Sequence, residues 1–503
     1  MKHIFPLLAF IMLALTGAEA QTLILNNSAG QLSSIIRFPA AAKTLTLQGT
    51  LNLADFEFMA LEMPALRSLD LSETVITEYN GDATFTGRTH SPADVLPAYA
   101  LLGMKIENLI LPRDLKAIED GALAGTAIRQ ITLPATLTSI ASHAFADCRN
   151  LTSVIIPAAV CEIGEGAFKG CDRLLSIKIE GTLTQIAPYT FAGCSKLNDC
   201  QIPFTVRSIG SSAFNGCTSL ASVSFPANLS AIGERAFYSS GLRSVDLART
   251  THLTSLGNWA FADCRALAAV SLPSSLTALG TGTFFNDATL RVDALPTSAT
   301  DIPDFTFAGN AGSATMLENS AVERIGAYSL AGWNDTRVFI LPPSLNELKE
   351  GAMADWQRLD TIKANALTAV PGADPSTWGT LDRSTVVLLV SDNCKEMFQS
   401  ADEWNEFKIM TRQDVLDGID TPVSDDPTHN GISARLDGQN LIISSGRRIA
   451  AVQLYDVAGR SFSLPVNHTE TGCTIDTSAW DVNIMIVRVV LDDATATIFK
   501  LAR

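Results

Sequence analysis

The chain has 503 residues, 47% of them hydrophobic, 17% charged and 7% aromatic, with a formal net charge of −16 and a pI of about 4.8. So acidic a balance argues against nucleic acid or an anionic membrane surface as partner, because both are met with Lys and Arg, and the apolar content argues against disorder. Length alone suggests about three compact domains, a prior that fails wherever a chain grows by repetition.

Residues 1–20 read as a signal peptide. Lys2 and His3 give a basic start, residues 4–15 an apolar run, and Ala18-Glu19-Ala20 a small-residue cleavage site before Gln21. The run is shorter than the ~20 residues of a spanning helix, and no later segment is long enough to cross a bilayer. The mature chain is therefore expected to be exported, extracellular or on the outer cell surface, with the periplasm as the alternative.

Residues 21–95 are expected to form an N-terminal cap. Leu45-Thr46-Leu47 and Leu66-Arg67-Ser68-Leu69-Asp70-Leu71 alternate like half-buried strands. Residues 55–63 have the spacing of a short helix with Phe56, Met59 and Leu61 available for the core. Residues 72–97, with Gly81, Gly87 and Pro92, read as a loop.

Beyond the cap the chain repeats. Ala144-Phe145-Ala146-Asp147-Cys148 returns as Ala167-Phe168-Lys169-Gly170-Cys171, Thr190-Phe191-Ala192-Gly193-Cys194 and Ala213-Phe214-Asn215-Gly216-Cys217, each Phe 23 residues after the last. Leu101 and Leu123 extend the series backwards, and Phe237, Phe261, Phe284, Phe307, Leu330 and Met353 carry it forwards, making about twelve units. Between Phe145 and Phe168 stand Leu151, Val154, Ile156, Pro157, Val160 and Ile163. Pro after the strand and a frequent Gly after the last Ile (Gly164, Gly210, Gly233) punctuate each unit. A period in the twenties around Leu-x-x-Val-x-Ile is the mark of a leucine-rich-repeat solenoid, in which stacked units share a core that no single unit can bury.

The consensus from Leu151 to Cys171 resembles the BspA-like class of bacterial leucine-rich repeats, over residues 96–365. Later units depart from it: Trp333 and Trp356 stand in the Cys position, and residues 311–320 lose the Leu-x-x-Val spacing. The resemblance implies a surface protein that adheres to host or microbial proteins.

Past the repeats, Val386-Val387-Leu388-Leu389-Val390 reads as a last strand, and residues 396–407, with Met397, Phe398, Ala401, Trp404 and Phe407 at helical spacing, as a C-terminal cap closing the solenoid of residues 96–410. Residues 411–431, rich in Asp, Pro and Gly, read as a linker. Residues 432–503 switch to short alternating strands, the pattern of a small antiparallel β-sandwich. Within them, Leu454-Tyr455-Asp456-Val457-Ala458-Gly459-Arg460, Ile475-Asp476-Thr477-Ser478 and Ile486-Val487-Arg488-Val489 resemble the C-terminal sorting domain of type IX secretion substrates. Asn483 and Met485 occupy the places where that family usually has Gly and Tyr. The resemblance implies a tail that directs passage across the outer membrane.

Little of this suggests catalysis. Nine Cys cannot all pair, and Cys148, Cys171, Cys194, Cys217 and Cys264 share one repeat position. Neighbouring rungs about 4.7–4.9 Å apart would permit disulfides, but Trp and Ser replace this Cys elsewhere, which favours thiols packed as small hydrophobes. Cys200 stands where other units have Val or Ile, again a core place. The Cys and His spacing of a zinc site is missing. His90, His143, His252, His429 and His468 fall in different units or linkers, and the nucleophile elbow, P-loop and dinucleotide patterns are missing too. No catalytic, cofactor or metal residues are assigned, and an enzyme is not expected.

What remains is the face lined by the strands. Successive strand residues point to opposite sides, so the outward positions are Ser153 and Ile155, Ser176 and Lys178, Asp199 and Gln201, Ser222 and Ser224, Arg243 and Asp246, and Ser271. This small, polar surface is the candidate partner-binding face, with extracellular or host proteins as the expected class of partner. The competing reading is a solvated, non-adhesive structural surface or a glycan-associated one. Aromatics are missing from these positions, so stacking on sugars has no support there.

Overall fold

A computed structural model describes residues 21–82, 88–313 and 315–417, and in the tail residues 428–429, 432–437, 440–456, 461–462, 466–469, 471–477, 484–492 and 496–502. The expected signal peptide, Gly87, residues 457–460 of the sorting-like motif and Asn483 lie outside the described residues. The chain divides into two units: one runs to Leu359 and takes in Pro371–Leu381, and the other holds Asp360–Val370 and Asp382 onwards.

In the first unit the sequence period is the sheet register. Ser153–Ile156 lies parallel to Ser176–Ile179, pairing Ser153 with Ser176 and Ile155 with Lys178, and Ser176–Ile179 in turn pairs with Asp199–Cys200. A second ladder, two residues per coil, joins Ser139–Ile140 to Glu162–Ile163, and Gln185–Ile186 to Ser208–Ile209 to Ala231–Ile232. Alternation sorts the side chains: Val154 and Ile156 are buried, Ser153 and Ile155 exposed. Pro157 opens the turn between the ladders, closed by the Val160 N–H donating to its carbonyl at 3.1 Å. The Gly that follows the last Ile serves close approach. A Cβ on Gly210 would lie 2.5 Å from the Pro188 nitrogen of the preceding coil, so the coils touch backbone to backbone there.

The core Phe line is continuous. Phe145, Phe168, Phe191, Phe214, Phe237, Phe261, Phe284 and Phe307 are all fully buried. Neighbouring rings stack with centroids 5.0–5.8 Å apart. Their backbone is also shared between coils. The Phe145 N–H donates to the Ala167 carbonyl at 2.8 Å, and the Phe145 carbonyl accepts from the Cys171 thiol at 3.1 Å. Cys194, Cys217 and Cys264 donate in the same way to Phe168, Phe191 and Phe237, each at 3.2 Å.

The Cys position is therefore a donor position as well as a packing one. All nine cysteines are free. Where Cys gives way to Trp, the indole takes over: Trp333 Nε1–H reaches the Phe307 carbonyl at 2.9 Å and Trp356 Nε1–H the Leu330 carbonyl at 2.7 Å. At Asp287 the same slot holds a fully buried carboxyl, which accepts from the Cys264 N–H at 2.7 Å. The next coil has Asn310, whose Oδ1 accepts from the Asp287 N–H at 3.3 Å. Burial pushes the Asp287 carboxyl up to about 9, against the pull of the Cys264 N–H.

The N-terminal stretch is more regular than a cap made of isolated pieces. Gln21–Asn27, Ala42–Leu51, Ser68–Ile76 and Asn108–Ile110 form one parallel sheet, in which Leu45 pairs with Leu23 and Leu69, and Leu69 with Leu109. The helix runs Leu53–Glu62, with Leu53, Phe56 and Met59 buried. Leu61 is 51% exposed, so the inward role expected of it is corrected: it stands about 200° round the helix from the buried Met59 and faces outwards. A reciprocal cap fixes that start, Asn52 Oδ1 accepting from the Ala54 N–H and Asp55 from the Asn52 N–H. Buried Asp55 also accepts from Gly30 and Leu32 and so pins the preceding connection. The expected loop over residues 72–97 is likewise corrected. The strand persists to Ile76, Tyr79–Asn80 pairs antiparallel with His90–Ser91, and Val95–Leu96 begins the second ladder.

In the second unit Val387–Val390 pairs in parallel with Thr361–Lys363 and with Lys408–Thr411. The helix expected over residues 396–407 is only Lys395–Ser400; Ala401 is extended, and Glu403 takes a φ of 66°. Phe398 and Trp404 nevertheless meet edge to face at 5.3 Å, while Met397 is 42% exposed. Helix Arg412–Asp417 then occupies the start of the stretch read as linker. The tail holds two antiparallel sheets. One orders Thr428–His429, Ile432–Asp437, Asn440–Ser445, Gly472–Asp476 and Val466–Thr469; the other orders Ser461–Phe462, Ile449–Asp456, Ile484–Leu491 and Ala496–Ala502. They share one apolar core that includes Leu441, Ile443, Leu454, Ile475, Val487 and Phe499.

Two outcomes follow from these cores. Phe191→Ala should lower stability by about 3–5 kcal/mol, through lost burial and the cavity left in the stack, read as a shift in urea denaturation. A loss under about 1 kcal/mol would contradict a packed ring line. Asp287→Asn tests the buried carboxyl. Its pKa in the fold, about 9, stands above the unfolded value, so its stabilising contribution is whole below pH about 4 and is lost as pH rises through about 9. The variant should match wild type at pH ~4 and exceed it by more than about 1 kcal/mol at pH ~8. Parallel pH profiles for the two proteins would show that the carboxyl is not held neutral.

Candidate functional site

The strand face carries two outward rows. One passes through Ser153, Ser176 and Asp199, which are direct register partners, and the other pairs Ile155 with Lys178. Gln201 follows Cys200 at the end of its strand, and Ser222 and Ser224 lie on a coil that keeps the path without strand pairing. Further along, Ser244–Asp246 pairs with Ala269–Ser271, setting Asp246 beside Ser271. Arg243 stands just before that pair, its carbonyl accepting from the Ala268 N–H at 2.9 Å. All the candidate residues are exposed except Ser176, which is half-buried. Parallel registration against the buried Val154, Ile177 and Val245 holds them in two files. Lys178 pairs with Glu180 at 2.7 Å on the open surface, a contact worth about 0–1 kcal/mol that leaves the ammonium free to exchange partners.

The face is less polar than its sequence suggests. Ile155 is 57% exposed and Leu175 48%. Two residues missed in sequence belong to it. Ile24 and Ile110, 64% and 52% exposed, lie on one row, linked through Thr46 and Asp70. Ile110 follows Leu109 in the same alternation as Ile155 after Val154, so extending the register backwards would have found it. Ile24 sits on a strand that the cap reading overlooked. Beyond Ser271 the sheet breaks. Arg291 keeps a single bridge to Ala269, and the next coil, where the repeat spacing is lost, makes a turn instead of a strand. A cleft of about 380 Å³, lined by Asp293, Leu295, Thr297, Met316, Glu318 and Ser320 among others, opens there.

Reactive groups are scattered. His90 accepts or donates at Asn80 in the small hairpin, His143 is exposed on a turn, and His252 lies beside Thr251. Burial pushes the core thiols up, Cys148 to about 11 and Cys200 and Cys264 to about 12, with Cys171, Cys194 and Cys217 also raised. Such thiols stay protonated and are poor nucleophiles. Among the described residues no three His, Cys, Asp or Glu converge to hold a metal ion, and no helix is long and apolar enough to cross a membrane.

Comparison with known proteins agrees with this geometry. The family model described as the BspA type leucine rich repeat region matches in six copies, across residues 94–206, 184–313 and 285–371. No curated protein matches the chain. Among solved structures, a leucine-rich repeat protein from Bacteroides ovatus ATCC 8483 is similar at 19% identity and TM-score 0.56, covering 77% of this chain and 92% of its own. A leucine rich cell surface protein from Faecalibacterium prausnitzii A2-165 aligns at 21% identity and TM-score 0.31, over 54% of this chain and 84% of its own. The pneumococcal vaccine antigen PcpA aligns at 18% identity and TM-score 0.39, over 69% and 84%. At these identities the Bacteroides protein speaks for the fold alone.

Proposed function

The chain belongs to the BspA-type leucine-rich-repeat family, and on that premise we propose that it is an exported surface protein whose strand face binds extracellular or host proteins in adhesion. The observation that carries this reading is the pair of outward rows, exposed and held in register by a buried core. Protein-binding surfaces combine apolar anchors with a polar surround. Ile155 and Leu175 supply the apolar contact, with Ser153, Ser176, Lys178, Asp199 and Gln201 around them. The scaffold supports binding rather than catalysis.

Export rests on residues 1–20 as a signal peptide and on residues 432–503 as a sorting domain. In this reading residues 21–95 cap the solenoid, residues 96–410 form it with its C-terminal cap, and residues 411–431 lead to the tail. The tail has its own apolar core across two sheets, which fits a module with a task separate from stabilising the repeats.

Binding is tested by capture of the mature chain on a panel of immobilised extracellular-matrix proteins. Ile155→Glu combined with Lys178→Glu should weaken capture by about tenfold or more, with thermal unfolding unchanged because both residues are exposed. Undiminished capture by that variant would place binding elsewhere. Export is tested by deleting residues 432–503. The repeats should keep their main unfolding transition, and the truncated protein should accumulate in the periplasm of the native host. Normal delivery to the surface or medium would make the tail an ordinary accessory domain.

A further inference from the structure

Two residues before each core Phe the backbone is left-handed, with φ between 52° and 60° from Tyr99 through Gly351. Glycine enters this region freely, while other residues are strained in it. The chain uses Gly there in four coils, at Gly121, Gly166, Gly282 and Gly351. Yet Trp259, Phe305 and Tyr328 occupy the same position, at φ 56°, 59° and 52°. Ring contacts between coils work against that penalty.

The rings gather into one partly exposed ridge. Trp259 leans over Gly282, where a Cβ would overlap its ring. It meets Phe305 at 6.3 Å, and Phe305 stacks on Tyr328 at 5.5 Å with the rings 7° from parallel. Phe285 closes the group edge-on, 5.4 Å from Trp259 and 6.4 Å from Phe305. Four coils at strand spacing give a length of about 14 Å. Carboxylates border the rings, and one coil before Trp259 the same position holds Arg235, paired with Glu234 at 2.9 Å. Glu350 accepts from the Tyr328 hydroxyl at 2.8 Å, and Asp263 from Asn286 Nδ2 at 2.6 Å.

We infer that this ridge is a second binding site, taking a neutral, hydroxyl-rich oligosaccharide. Aromatic rings receive the C–H faces of sugars, and carboxylate and amide oxygens accept from sugar hydroxyls. The carboxylates beside the rings, in a chain of net charge −16, repel nucleic acids and acidic polysaccharides. The ridge shares no residue with the strand face, so it stands or falls independently of the protein-binding reading.

The test is native-gel retardation of the mature chain by starch, β-glucan, xylan and mannan, with alginate as the acidic control. At least one neutral polysaccharide should retard the protein and alginate should not. Trp259→Gly and Phe305→Gly, which suit the left-handed backbone, should raise the apparent Kd by about tenfold; the strand-face double variant should bind like wild type. Oligosaccharide from the retarding polymer should also perturb the intrinsic fluorescence of wild type and not of Trp259→Phe, which keeps a ring in place should the glycine variants fold poorly. Absence of retardation by every neutral polymer overturns the inference, as does retardation by alginate alone or full binding by folded glycine variants. Self-association in sedimentation that the glycine variants abolish would assign the ridge to a second copy of the chain and equally overturn it.

Discussion

Each core Phe buries an N–H that its own coil cannot satisfy, and the array depends on neighbours doing so. The Phe N–H is taken by a carbonyl of the next coil. The Phe145 carbonyl accepts from the Cys148 N–H of its own coil and the Cys171 thiol of the next, and the Phe307 carbonyl from the Asn310 N–H and the Trp333 indole. A buried backbone group left without a partner costs about 1–3 kcal/mol, so a single coil is unstable for polar reasons as much as apolar ones. The 23-residue period follows. An insertion at the Phe turn would shift these donors off their acceptors and the ring off its stack together. The one-residue extension between Phe237 and Phe261 falls outside that turn, and the ring stack passes through at 5.3 Å and 3°.

The same constraint explains what is allowed three residues after the Phe. Cys is a small hydrophobe with a weak donor, and Trp is a large one with a stronger donor. Both satisfy the carbonyl, and Trp333 and Trp356 add a stack of their own at 5.6 Å. Ser240 and Thr126 keep the polarity by contacting the Cys264 and Cys148 sulfurs. Asp287 is the exception that the rule still governs: it fits because its carboxyl is neutral in this setting, a state that burial imposes. The cysteines thus form a hydrogen-bonded ladder, and a disulfide between rungs would remove the S–H that the Phe carbonyl uses.

Most of the array was legible because its constraints repeat. Phe145 to Phe214, the Leu-x-x-Val-x-Ile strands and the outward rows at Ser153 and Ile155 all follow from period and alternation. The Cys position was half legible: packing can be read from residue type, whereas the acceptor it serves lies 26 residues back and leaves no local mark. The N-terminal strands were harder because their spacing is not 23, so Gln21–Asn27 had no repeat to reveal it, and Leu61 lies two residues past Met59, on the side of the helix away from the buried pair Phe56 and Met59. The Trp259 ridge was invisible for another reason. A residue type says nothing of a left-handed backbone when Gly, Arg, Ser and Trp all occupy the position.

That indifference has a physical cause. Trp259 and Asp263, on either side of Phe261, donate their N–H groups to carbonyls of the next coil at 2.8 Å each. These bonds hold both residues at φ of 56° and 57° whatever the side chain. Local propensity normally confines such angles to Gly, with Asn and Asp the occasional visitors. Here the neighbouring coil overrides it, just as strand register fixes the outward rows whatever residues fill them. Wherever the lattice dictates the backbone, side-chain identity is released from the task of folding. The turn edge and the strand face are both surfaces of that kind, and their chemistries can diverge along one chain without disturbing the core between them.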